Sequence, residues 1–165
     1  MRYVSTRDNS KEYNFEEVFI KGLADDGGLY VPTSLKKFSL DELSDLKNLN
    51  YNDLSTEIIN LFSSDFISKE DLSWLIKKSY STFREKEVIK ISNLGGLKLL
   101  ELFHGPTLAF KDVAMQFIGN LYEYYLTKND KKINIVVATS GDTGAAAIDA
   151  IKGKSNLNIF VLHPN

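Results

Sequence analysis

The chain has 165 residues, a net charge of −2, two histidines and no cysteine. This composition excludes a disulfide framework, a thiolate nucleophile and Cys- or His-rich metal sites, and the slightly acidic charge argues against nucleic-acid binding. No apolar run approaches the roughly 18 residues of a membrane span, and the first residues carry no signal-peptide core. We expect a globular cytoplasmic protein, with import into a eukaryotic organelle left open.

Residues 1–80 predict a small, mostly helical domain. Apolar side chains recur at helical spacing from Phe15 to Leu23, behind Asn14 as a candidate N-cap. A turn signal at Asp26–Gly28 leads into a short predicted strand, Leu29–Val31. The further predicted helices are one that begins at a capping box of Ser39 and Glu42, one over Asn52–Phe62 and one over Lys69–Tyr80.

Residues 81–165 change to an α/β pattern, after a charged connector at Ser81–Lys90. The predicted elements are, in chain order, a strand Leu97–Phe103, a helix that begins after Lys111, a strand Ile133–Thr139, a turn Ser140–Gly144, a helix Ala145–Ile151 and a strand Leu157–Leu162. The last strand, helix and strand form a βαβ unit. Both of its strands lack polar alternation, which is typical of parallel strands buried on both faces. Because two strands do not make a stable sheet alone, we expect the remainder of an α/β domain to be needed.

The motif TSGDTG lies between a predicted strand and a predicted helix. Gly141 and Gly144 allow a tight turn, and the free N–H groups of the following helix favour an anion. Ser140 and Thr143 add hydroxyl groups, whereas Asp142 suits a protonated or hydroxyl-bearing partner. Two interpretations stay open, a ligand-binding turn and a capped turn without a ligand; the motif is neither a P-loop nor a dinucleotide fingerprint.

Lys111 lies at the start of a predicted helix, between two mostly apolar segments. The positive end of the helix dipole and desolvation would both disfavour the charged form of its amine. A neutral amine is what a Schiff-base or proton-abstracting lysine needs. The alternative is a solvated lysine whose charge is balanced by the neighbouring Asp112.

His104 precedes a Gly105-Pro106 turn in the same stretch. Near a reactive lysine, its imidazole would contact a phosphate or shuttle protons. The alternative is a half-buried turn histidine that is hydrogen-bonded to the backbone.

Together, these segments resemble a known enzyme family. HGPTLAFKD (His104–Asp112) followed by ATSGDTGAAA (Ala138–Ala147) is similar to threonine synthase, a pyridoxal-phosphate enzyme of the tryptophan-synthase-β fold type, fold type II. The segments YVSTRDN (Tyr3–Asn9) and GLADDGGLYVP (Gly22–Pro32) resemble the N-terminal domain of the same family. The resemblance covers nearly the whole chain.

The resemblance implies a carbon–oxygen lyase that converts O-phospho-L-homoserine and water to L-threonine and phosphate, with pyridoxal phosphate as cofactor. Lys111 would carry the cofactor and move protons on the substrate, and Phe110 would pack near the cofactor ring. The other residues implied for the cofactor are Ser140, Asp142 and Thr143. The residues implied for the substrate are Ser140, Gly141, Asp142, Thr143 and His104. Asp142 stands where many relatives of this fold type have asparagine.

The resemblance also implies parts that this sequence does not contain. A later glycine-rich loop that grips the cofactor phosphate, and a later hydroxyl residue that pairs with the pyridine nitrogen, have no counterpart here. We therefore expect an incomplete catalytic region that needs the remainder of its domain, is inactive alone and self-associates. The alternatives are another fold type II enzyme, such as a dehydratase or a cysteine synthase, and a non-catalytic interaction module.

Overall fold

The computed structural model describes residues 1–164, so Asn165, the last residue of the predicted α/β region, lies outside the described residues. The chain forms two compact units, Met1–Trp74 and a second unit that begins at Leu75. Helices and strands are present in both, which confirms a mixed α/β chain. Among residues 1–164, no helix combines the length and the apolar character that crossing a membrane requires.

The first unit is built from short strands and capped helices. Its elements are β1 (Tyr3–Ser5), α1 (Phe15–Lys21), β2 (Tyr30–Pro32), α2 (Leu40–Leu46), α3 (Tyr51–Ser63) and the first part of α4 (Lys69–Tyr80). Asn14 and Ser39 accept the backbone N–H groups of Glu17 and Glu42 at 2.9 and 3.2 Å, so both predicted N-caps are confirmed. The sequence does not predict β1, which pairs antiparallel with β2, because no turn signal marks it in the way that Asp26–Gly28 marks β2.

The second unit contains a hairpin and an α/β layer. Its elements after α4 are β3 (Lys90–Leu94), β4 (Leu97–Glu101), α5 (Asp112–Lys128), β5 (Ile133–Ala138), α6 (Asp142–Ile151) and β6 (Leu157–Leu162). β5 and β6 pair in parallel, in a register that runs from Ile133 opposite Leu157 to Ala138 opposite Leu162. The predicted βαβ unit is therefore confirmed.

The second unit differs from the sequence prediction mainly at two places. The predicted single strand is the second strand of an antiparallel hairpin, in which Gly95 and Gly96 have φ of 55° and 88°. These left-handed angles suit a two-residue hairpin turn, but β3 follows a charged connector and gives no clear strand signal. In addition, α6 begins at Asp142 rather than at Ala145, so the last three residues of the predicted turn are helical.

β5 and β6 have the apolar pattern of strands buried on both faces, but the structure buries only one face of the pair. Ile135 and Val137 line a cavity of about 190 Å³ together with residues of α5 and α6. Val136 and Phe160, which alternate with inward-pointing side chains, are 65% and 55% exposed. Within residues 1–164, helices cover only one face of this sheet, so the apolar residues of its other face remain in solvent.

The helices α5 and α6 pack closely and run in the same direction. A Cβ atom on Gly119 would lie 2.6 Å from the carbonyl oxygen of Ala150, so only glycine permits this approach. Gln116 donates a hydrogen bond to Asp149 at 2.7 Å, and Lys154 donates one to Asn120 at 2.7 Å. Because the contact positions rise together along both segments, the two helix N-termini lie at the same end of the layer.

A partly buried charge cluster supports the other end of this layer. The carboxylate of Glu123 accepts hydrogen bonds from Lys78 and Lys154, both at 3.0 Å, and the Lys154 side chain is 10% exposed. Burial raises the pKa of Glu123, but the hydrogen bonds from Lys154 and Lys78 outweigh it and leave the pKa below its usual value. The ionised carboxylate therefore stabilises the folded chain.

We predict that Glu123→Gln lowers the free energy of unfolding at pH 7 by about 1–3 kcal/mol, because two lysines lose their shared charged partner. A carboxyl whose pKa is depressed in the folded state stabilises above its unfolded pKa and ceases to do so as pH falls through the folded value. The difference between wild type and variant in urea denaturation should thus shrink below about pH 4. Asp25→Asn, in the exposed Lys21–Asp25 pair, is the control and should change little. An equal difference at pH 7 and pH 3 would contradict this role.

Candidate active site

The loop between β4 and α5 is closed on the buried carboxylate of Asp112. Asp112 is fully buried, and its two oxygens accept the backbone N–H of Thr107 at 2.8 Å and the Thr107 hydroxyl at 2.7 Å. A Cβ atom on Gly105 would lie 2.4 Å from the Cβ atom of Asp112, so the turn packs directly on this side chain. Asp112 therefore fixes the path of the chain from His104 to the start of α5.

The same loop contains a residue in an unusual backbone conformation. Leu108 has φ of 64°, a left-handed value that costs a residue with a side chain free energy, and its N–H bonds the carbonyl oxygen of Gly105 at 3.2 Å. The contacts of Asp112 with Gly105 and Thr107 hold the loop closed on either side of this strained residue.

Lys111 occupies the position immediately before the first residue of α5. Its carbonyl oxygen accepts the N–H of Met115 at 2.9 Å, so its backbone is held by the helix. Its ammonium lies 4.8 Å from the centre of the Phe110 ring, a cation–π contact. No carboxylate among residues 1–164 lies within ion-pair distance of this ammonium, and Asp112 is engaged by Thr107 instead.

The flanks of Lys111 differ from the expected buried segments. Ala109 is 6% exposed, but Leu108 and Phe110 are 51% and 57% exposed, and Lys111 itself is half-buried. Within residues 1–164, no layer of the chain covers this loop, so the apolar residues on both sides of Lys111 do not bury it. The structure thus leaves the amine accessible rather than enclosed.

His104 is held by an acidic partner that the sequence does not predict. Its Nε2 atom lies 2.9 Å from a carboxylate oxygen of Glu101, and the other oxygen of Glu101 accepts the hydroxyl of Ser92. The side chains of His104 and Glu101 are only 12% and 14% exposed. The ring bonds a carboxylate rather than the backbone. Glu101 lies only three residues before His104, but the sequence does not show that the two side chains meet, and Ser92 comes from the other strand of the hairpin.

The TSGDTG motif forms a compact turn around Thr139. The Thr139 hydroxyl oxygen accepts the backbone N–H groups of Gly141 and Gly144, both at 3.3 Å. A Cβ atom on Gly144 would lie 2.3 Å from the Thr139 methyl carbon, so this position requires glycine. Ser140, Gly141 and Asp142 are exposed, and the Gly144 N–H also bonds the carbonyl oxygen of Gly141 at 2.9 Å. The N–H groups of Asp142 and Thr143, at the start of α6, have no acceptor within the helix. Such a turn offers N–H donors to an anion.

The two motifs are placed at one end of the α/β layer. Lys111 precedes α5, Gly141 precedes α6, and these helices are parallel neighbours. This is also the end at which β5 and β6 finish, and ligands of α/β sheets bind beyond the carboxyl ends of the strands. Phe110 contacts Lys111 directly, whereas within residues 1–164 no hydrogen bond or ion pair joins Lys111 to Ser140, Asp142 or Thr143.

A lysine-bearing loop and a glycine turn at the strand ends of a parallel layer define an α/β ligand-binding region. Residues 2–80 match the family model described as threonine synthase N terminus. Threonine synthase of Schizosaccharomyces pombe is 44% identical over 99% of this chain and 34% of its own length. The structure of pyridoxal-phosphate-bound threonine synthase from Brucella melitensis aligns with a TM-score of 0.94 and 40% identity over 100% of this chain and 36% of that one. The yeast threonine synthase structure gives a TM-score of 0.94 and 45% identity over 99% and 35%.

The chain is therefore similar to the N-terminal portion of threonine synthases, and the resemblance drawn from its motifs is confirmed. It spans about a third of the length of the relatives it matches. The similarity extends through both units, because the aligned structures cover nearly all of its residues.

We predict that Thr107→Val lowers the free energy of unfolding by about 1–2 kcal/mol, because the hydroxyl bond to the buried Asp112 carboxylate is lost without a change in volume. Urea denaturation measures the cost, and hydrogen exchange of the residue-107 amide reports loosening of the loop. Thr82→Val, at an exposed position between α4 and β3, is the matched control. Equal stability and exchange in both variants would show that Asp112 does not hold the loop.

Proposed function

We propose that this chain supplies the N-terminal third of a pyridoxal-phosphate-dependent threonine synthase, a carbon–oxygen lyase. The substrate is O-phospho-L-homoserine, and the products with water are L-threonine and phosphate. The observation that carries the proposal is Lys111, an accessible amine without a carboxylate partner among residues 1–164, in a chain similar throughout to a pyridoxal-phosphate-bound threonine synthase.

The residues present fit this cofactor. A reactive aldehyde needs an accessible amine that is not locked in an ion pair, and Lys111 meets both conditions. A phosphorylated substrate or cofactor needs N–H donors and room for close approach, which the turn around Thr139 offers. When bound, pyridoxal phosphate would act as the electron sink of the reaction.

Each predicted residue has a role in this proposal. Lys111 holds the cofactor and, once released, moves protons at the substrate carbons. Phe110, already against the Lys111 ammonium, packs near the cofactor ring. Ser140 and Thr143 donate hydrogen bonds to the cofactor or the substrate carboxylate, together with the N–H groups at the start of α6. Gly141 leaves room for the substrate to approach the backbone.

Asp142 and His104 have the more specialised roles. Asp142 begins α6 and is exposed, so its carboxylate accepts a hydrogen bond from a hydroxyl or an ammonium group of the ligand. His104 lies in the loop that leads to Lys111 and acts on the phosphate ester of the substrate, as an acid or as a hydrogen-bond donor.

We further propose that residues outside this chain complete the site, since the relatives are about three times as long. The completed domain is of fold type II and cytoplasmic. The exposed apolar residues of the β5–β6 sheet, among them Val136, Phe160 and Leu162, favour self-association of the chain by itself.

The lysine assignment is tested on the chain itself. We predict that incubation with pyridoxal phosphate, reduction with borohydride and peptide mapping place the label on Lys111, and that Lys111→Ala loses it. Lys128→Ala is the matched control, because Lys128 also lies over an aromatic ring, that of Tyr124, at the other end of α5. Label spread evenly over surface lysines, or retained in Lys111→Ala, would refute the assignment.

The substrate is tested by replacing the matching third of yeast threonine synthase with this chain. We predict that the chimera releases phosphate from O-phospho-L-homoserine, and that Lys111→Ala reduces turnover by at least about 10³-fold. Serine and O-acetylserine, the substrates expected of a dehydratase or a cysteine synthase, should react poorly. Preference for either of them would favour another enzyme of the same fold type.

A further inference from the structure

His104 lies in the loop that leads to Lys111, and one of its two ring nitrogens is already held by a hydrogen bond. Its Nε2 atom bonds Glu101 at 2.9 Å, and the Phe103 ring packs against the imidazole with a 4.7 Å centroid distance. The carbonyl oxygen of His104 accepts the backbone N–H of Arg84 at 2.9 Å. The contacts with Glu101 and Phe103 hold the imidazole ring, and the bond from Arg84 holds the backbone of the same residue.

Glu101 remains ionised at neutral pH because of the groups around it. The hydroxyl of Ser92 lowers the pKa of Glu101 most, burial opposes this, and the bond with His104 and the charge of Lys90 lower it further. An ionised carboxylate only accepts hydrogen bonds, so the proton between the two side chains belongs to Nε2 of His104.

We propose that Ser92 and Glu101 are positioning residues that make Nδ1 of His104 the proton-exchanging atom of the candidate site. The hairpin supplies all the parts: Ser92 on β3 orients Glu101 at the end of β4, and Glu101 holds Nε2–H of the histidine. A neutral imidazole then presents Nδ1 as its only lone pair, and the charged imidazolium releases its proton from there.

This arrangement gives the site a second acid–base group, in the loop that leads to Lys111. The catalytic use of that group rests on the proposed function, whereas the geometry of the three side chains does not. In the proposed reaction phosphate leaves and water adds, so protons must move at atoms other than those that a single lysine serves. In this role His104 does not only contact the ligand but also carries a proton, on its Nδ1 atom.

The test is nitrogen NMR of the chain labelled with ¹⁵N-histidine, without cofactor. Only two histidines are present, so His163→Gln assigns both sets of signals, and the exposed His163 serves as an internal reference for a solvated ring. We predict that, as pH rises, the Nδ1 signal of His104 shifts as it loses its proton, while the Nε2–H cross-peak persists. His163 should show no persistent N–H signal.

Variants separate the hydrogen bond from general disruption. Glu101→Ala should lose the Nε2–H signal and make His104 behave like His163, whereas Glu101→Gln, whose amide oxygen still accepts, should retain it. Ser92→Ala should keep the signal but speed its exchange with water. Glu87→Ala, at an exposed glutamate before β3, is the control, and the backbone amide spectrum reports whether each variant folds. Loss of the Nε2 proton first, or an unchanged His104 in Glu101→Ala, would overturn the proposal.

The activity of the yeast chimera tests whether the proton on Nδ1 of His104 takes part in catalysis. Because Glu101 acts through His104, Glu101→Ala should lower kcat by at least about tenfold, His104→Gln by about 10²-fold, and the double variant no further than His104→Gln. Additive losses would overturn the positioning role. Labelling of Lys111 by pyridoxal phosphate should be unaffected in Glu101→Ala, so a failed lysine assignment is distinguishable from a failed histidine assignment.

Discussion

The close contact between α5 and α6 is the constraint on which the site depends. Gly119 lets α5 approach the carbonyl of Ala150, and polar contacts on either side keep the helices parallel. Both helices therefore present their positive ends at the edge where β5 and β6 finish. A larger side chain at Gly119 would separate the helices, and with them the lysine loop and the glycine turn.

The loop that carries Lys111 is then set by a single buried carboxylate. Asp112 accepts two bonds from Thr107 and packs on Gly105, so its carboxylate is held within the loop rather than paired with the neighbouring ammonium. Lys111 and Asp112 are adjacent in the sequence, but they do not form an ion pair and they have different roles. The aspartate has a structural role, and the lysine is left accessible beside Phe110.

Much of this was predictable from the sequence, because local signals dominate the helices and the motifs. Capping residues such as Asn14 and Ser39 mark helix starts through hydrogen bonds within four residues, and the apolar runs of β5 and β6 mark strands. Burial was less predictable, because an apolar strand shows what it prefers and not whether a layer covers it. The hydrogen bond from Ser92 that orients Glu101 beside His104 was not predictable either, since Ser92 and Glu101 meet only when the hairpin forms.

The β5–β6 sheet is buried on one face and exposed on the other, although the sequence of its strands is apolar on both. The inward residues Ile135 and Val137 share their cavity with two helices, while Val136 and Phe160 face outward among other apolar side chains. At roughly 25 cal/mol for each Å² of apolar surface removed from water, a layer placed over this face would gain substantial free energy. The helices and loops of the second unit are thus held by contacts within the chain, whereas one apolar face of the parallel sheet remains in solvent. That face borders the same strands whose carboxyl ends lead to the candidate site, so whatever covers it would also help to enclose the lysine and the glycine turn.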